Sequence, residues 1–116
     1  TIKTLPIKHS HTTKSIAYRI RHKNSSLVYT GDTGYNSNAI NAARNADFLI
    51  TECSLPKEVE GHLTPSLAGK IAAKANVKTL ILTHFYPEVL KTDIVRACKK
   101  EFKGNIILAK DRMKIN

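Results

Sequence analysis

A chain of 116 residues has room for one small domain, and 19 Lys and Arg against nine Asp and Glu give it a net charge of +10, which suits an anionic partner. The 41% hydrophobic and 24% charged fractions are those of an ordinary globular protein, and no apolar run approaches a membrane span. Two distant cysteines, Cys53 and Cys98, in no CxxC pattern argue against a disulfide scaffold and suit a reducing cytoplasm. The opening TIKTLPIKHS has neither a signal-peptide core nor an initiating methionine and reads as a chain that begins mid-fold.

In chain order, residues 2–7 read as a strand, and 15–22 (SIAYRIRH) and 27–30 (LVYT) as a hairpin about the turn KNSS. Residues 36–46 carry apolar side chains near helical spacing, with Asn36 or Ser37 as N-cap. DFLITE (47–52) reads as a buried strand with a polar end, and 64–77 as a helix capped by Thr64 with Pro65 in its first position. KTLILTHF (78–85) is a second buried strand, KTDIVRACKKEF (91–102) a helix, and 105–109 and 112–116 closing strands. Helices alternating with apolar strands predict an α/β layered domain whose sheet is parallel in part.

Three strands end in a residue able to bind a ligand: Asp32 after LVYTG, Glu52 after FLIT and His84 after LILT. Ligands of α/β sheets sit beyond the carboxyl ends of strands, so the three converge if their strands are parallel neighbours. Each also has a plainer reading. Asp32 between Gly31 and Gly34 is a turn former or a metal ligand; His84 is a core imidazole or a metal ligand; Glu52 is solvated or held by a partner. His9 and His11 stand two apart at a strand end, as chelators or as a polar edge. His62, just before a helix N-terminus, is loop surface or a phosphate and proton-transfer group, which Glu52 would orient. Cys53 reads as a small buried thiol and His22 as surface.

The succession HTTKSIAYRI, VYTGDTG, FLITE, EGHLTPSLAGKIAAKA and LILTHFYP resembles the C-terminal half of metallo-β-lactamase-fold hydrolases, most closely the ribonuclease Z-like phosphodiesterase branch. The resemblance runs from about Ile7 to Ile115. It implies the C-terminal half of an αββα sandwich, a mixed sheet with helices on its outer face. Asp32 would bridge two metal ions; His11, seven residues before Tyr18, would hold the first and His84 the second, with His9 the lesser candidate. His62, steered by Glu52, would protonate the leaving oxygen while a metal-bridged hydroxide attacks phosphorus. The implied cofactors are two divalent ions, zinc before manganese or iron, and the implied substrate is a phosphodiester such as RNA.

The family's His-x-His-x-Asp-His motif does not occur in this chain. Three protein ligands are too few for a tight pair of metal ions, so the 116 residues are expected to be inactive alone. A half sandwich would also leave one sheet face bare, to be covered by an N-terminal half or by a second copy. Two alternatives stay open: a basic, metal-free module that binds nucleic acid through phosphates, and a hydrolase of another ester or thioester on the same fold.

Overall fold

Alternation along the first strands divides the protein into two faces. In the computed structural model, which describes residues 1–11 and 13–115, β2 (Lys14–His22) turns Ile16, Tyr18 and Ile20 to one side and the buried Ala17 to the other. β1 (Ile2–Lys8) and β3 (Ser25–Tyr29) flank it, both antiparallel to it. The chain then runs through α1 (Ser37–Ala43), β4 (Phe48–Glu52), α2 (Pro65–Ala75), β5 (Thr79–Thr83), α3 (Pro87–Leu90), α4 (Ile94–Lys99) and β6 (Asn105–Leu108). The six strands form one sheet in the order β1-β2-β3-β4-β5-β6, and β3 to β6 are mutually parallel. Each parallel step needs a crossover, and helices supply it. β3, β4 and β5 are therefore adjacent and end on the same side, the condition for Asp32, Glu52 and His84 to meet.

Local chemistry starts and stops the helices where the sequence signals lie. The Asn36 side chain accepts from the Ala39 amide at 2.9 Å, and the Thr64 hydroxyl accepts from the Leu67 amide at 3.1 Å with Pro65 beginning α2. α2 ends at Asn76, whose φ of 56° is left-handed. The helices pack on one sheet face through small residues, Ala39, Ala42, Ala43, Ala68, Ala72 and Ala75, all buried against Val28, Leu49, Leu80 and Leu82. A Cβ at Gly69 would lie 2.7 Å from the Cys98 carbonyl oxygen, so the absent side chain lets α2 approach α4. Both thiols are buried, which pushes Cys53 up to about 12 and Cys98 to about 11 and disfavours the thiolate form.

The other face is apolar and open in part. The cross-strand row Tyr18, Tyr29, Ile50, Ile81, Ile107 runs across five strands, with Tyr18 and Tyr29 more than 40% exposed. No helix among the described residues is long and apolar enough to cross a membrane.

Two expectations need correction. The stretch 112–116 does not form a strand: Lys110 accepts from the Met113 amide in a turn, and Arg112 has a φ of 63°, incompatible with extended chain; Asn116 lies outside the described residues. The helix expected over 91–102 is shorter, α4, and follows a separate one-turn helix, α3, begun by Pro87.

At the far end of the sheet Asp47 ties three strands together. Its carboxylate accepts from Lys78 Nζ at 2.7 Å and from the Ser26 amide at 2.8 Å, and these bonds pull its pKa from 3.8 to about 2, the lysine contributing most. A carboxyl depressed in this way stabilises the fold fully above pH 4 and loses that contribution as the pH falls toward 2. Asp47→Asn is expected to lower the melting temperature at pH 7 and to flatten its decline between about pH 4 and 2; thermal melts that fall in parallel for both proteins would contradict the assignment.

Candidate metal centre

Glu52 closes β4 and is 1% exposed, so its charge must be met inside the protein. Its Oε1 accepts from the Thr33 amide at 3.1 Å and from His62 Nδ1 at 2.8 Å. Its Oε2 accepts from the Leu63 amide at 3.1 Å and from the amide and hydroxyl of Ser54. One buried carboxylate thus joins the loop after β3 to both ends of the loop between β4 and α2. Because Nδ1–H of His62 donates to Glu52, Nε2 is the ring nitrogen left with a free lone pair.

Asp32 follows Gly31, whose φ of 62° turns the chain at the end of β3. His84 follows β5 with a φ of 60°, a conformation that costs a non-glycine residue about 1–3 kcal/mol. The turn is held by the Tyr86 amide, which donates to the Ser54 carbonyl at 3.1 Å. It brings His84 Nε2 to 3.5 Å from Asp32 Oδ1, both side chains 42% exposed. Asp32, His62 and His84 each offer a ligand atom, and those atoms lie within 4.8 Å of one another. Two imidazoles and a carboxylate are a donor set that suits zinc and neighbouring divalent metals. Among the described residues this is the one such group. Tyr86 walls it, its ring 5.3 Å from that of His84 and 5.8 Å from that of His62.

The remaining histidines separate. His11 Nε2 pairs with Glu60 at 2.9 Å on an exposed edge and is not brought to Asp32 and His84. His9 turns inward, its Nδ1 2.8 Å from the Gly61 carbonyl and its ring 5.3 Å from that of His62. His22 is exposed. His9 and His11 line a cleft of about 700 Å³ that continues past His62 to Tyr35 and Lys70. The roles of Ser54, Thr33 and Tyr86 depend on contacts between segments, and no residue spacing signals them.

The profile of the beta-lactamase superfamily domain matches residues 1–85. The chain belongs to that family. Within it, the chain is 36% identical over 102 residues to an uncharacterised protein of Mycobacterium leprae, covering 84% of this chain and 36% of that protein. It is 42% identical over 103 residues to a ribonuclease Z of Prochlorococcus marinus, covering 78% of this chain and 32% of that enzyme. The crystal structure of the metallo-beta-lactamase fold protein YhfI from Bacillus subtilis superposes with a TM-score of 0.84 at 32% identity, over 95% of this chain and 46% of that one. The chain is thus a metallo-β-lactamase-fold domain related to the ribonuclease Z branch, and it spans about a third of the length of the curated relatives it matches.

Gly61 is where His9 and His62 depend on each other. Its φ is 82°, and a Cβ there would collide with the His9 carbonyl oxygen. Gly61→Ala is expected to cost about 1–3 kcal/mol in urea unfolding and to shift the ring resonances of both His9 and His62. An unchanged denaturation midpoint would contradict the close packing.

Proposed function

We propose that this domain is the C-terminal part of a metal-dependent hydrolase that cleaves phosphodiesters, RNA among them. The observation that carries this reading is the group Asp32, His62 and His84 at the ends of three adjacent strands, with buried Glu52 behind His62. The ribonuclease Z relatives support the substrate class.

In this reading Asp32 and His84 would hold metal; the resemblance also assigns His11, whose ring pairs with Glu60 in this structure. The resemblance implies two divalent ions, zinc before manganese or iron, which Asp32 would help to hold. Metal held there supplies Lewis acidity to a phosphoryl oxygen. His62 carries the proton chemistry. Glu52 fixes the Nδ1–H tautomer and supports the imidazolium, so that Nε2 would take a proton from water and deliver it to the leaving oxygen as the P–O bond breaks. The buried, free thiols support a reducing compartment such as the cytoplasm in this reading.

The open sheet face is where the remainder of the hydrolase, or a second copy of this chain, packs. Light scattering on the chain at tens of micromolar is expected to give a mass above the 12.9 kDa of one chain; a clean monomer that binds no hydrophobic dye would contradict this.

Zinc retention after dialysis tests the centre. The wild-type chain is expected to retain zinc and Asp32→Ala to lose it. Equal zinc content in wild type and Asp32→Ala would overturn the proposal.

A further inference from the structure

The cleft beyond His62 has two unlike walls. One is the loop that carries Glu58 and Glu60, where Glu60 already pairs with His11. The other is formed by α2 and the loop entering α1, and it is cationic. Lys70 and Lys74, one helical turn apart on α2, both place Nζ over the ring of Tyr35, at 5.5 Å and 5.7 Å from its centroid. Two ammonium groups at this spacing repel each other. Among the described residues neither has a carboxylate within ion-pair distance.

Tyr35 is itself tied to the candidate centre. It follows Gly34, at which a Cβ would stand 3.4 Å from the Gly61 amide nitrogen, so the tyrosine loop lies directly against the loop bearing His62. The Gly34 amide donates to the Lys8 carbonyl at 3.0 Å, and Thr33 in the same loop donates to Glu52. The loop that carries Tyr35 is therefore anchored to the carboxylate that orients His62.

We propose that Lys70 and Lys74, held by Tyr35, form a subsite for a backbone phosphate of a single-stranded nucleic acid, next to the phosphate that reaches His62. This inference rests on the phosphodiester reading of the neighbouring centre. Tyr35 acts as a positioning residue: its ring face gathers both ammonium groups at the cleft rim, and an incoming phosphate supplies the counter-charge they lack. The carboxylates of the opposite wall steer a polyanion toward the helix. Free phosphate shares the chemistry but offers a single anion where a strand continues along the cleft.

Fluorescence anisotropy with a labelled single-stranded RNA decamer tests the subsite on the whole chain, with thermal melts to verify folding. Lys70→Gln and Lys74→Gln, both exposed positions, are each expected to weaken binding 3- to 10-fold and to reduce the salt slope by about 0.7. Tyr35→Phe keeps the ring and is expected to bind as wild type, whereas Tyr35→Leu is expected to lose as much as a lysine variant. Lys110→Gln, exposed and outside the cleft, is the charge control. Inorganic phosphate is expected to displace the RNA only at millimolar concentration.

Unchanged RNA affinity in both α2 lysine variants would overturn the subsite. An equal loss in Lys110→Gln would also overturn it, as diffuse charge, and so would displacement by micromolar phosphate, which assigns the site to the free ion. Zinc content of the wild type is read separately. A chain that holds zinc and ignores both lysines contradicts the subsite alone. One that holds none yet loses RNA on Lys70→Gln contradicts the centre alone.

Discussion

A single buried carboxylate organises the functional end of this domain. Glu52 has almost no access to water, and an ionised group in that position is tolerated only when its lone pairs are occupied. Donors from Thr33, Ser54, His62 and Leu63 occupy them. Because those residues come from different loops, satisfying Glu52 fixes how the loops sit. Ser54 carries the constraint further, since its carbonyl accepts from Tyr86 and so holds the turn that presents His84. The loops that position all three potential ligands are thereby referred to one atom pair on β4.

The two faces of the sheet have different tasks. On the helix side, alanines and a glycine allow close approach and the core residues are buried. On the other side the apolar row from Tyr18 to Ile107 is covered only in part. Burial of apolar surface is worth roughly 25 cal/mol per Å², which is the driving force proposed for packing on this face. The site lies at the sheet's carboxyl edge, where the covered and uncovered faces meet. A partner on the open face would therefore border the site.

Most of the architecture was legible because local chemistry and tertiary packing agree. Alternation in SIAYRIRH, the Thr64-Pro65 start of α2 and the apolar runs of β4 and β5 each meet a matching environment. Where they disagree, the sequence misleads. Met113 and Ile115 alternate like a strand, yet the turn at Arg112 takes them out of line with the sheet. α3 is one turn long and has Pro87 as its only strong signal, so the helix read from the sequence starts only at residue 91. At the site, the strand-end rule brought Asp32, Glu52 and His84 together. It said nothing of His9 and His11: β1 stops at Lys8, and beyond it the two rings follow different partners, Gly61 and Glu60. The pairing of Tyr35 with Lys70 and Lys74 is equally invisible, because only the fold brings α2 against the loop that carries Tyr35.

If Glu52 is the organising group, its effect is written in the proton position on His62. Long-range nitrogen–proton NMR of the imidazole rings distinguishes the two neutral tautomers. The structure predicts that His62 carries its proton on Nδ1 in the wild type and that Glu52→Ala abolishes this preference. A proton on Nε2 in the wild type, or an identical spectrum in the variant, would contradict the central role of that carboxylate.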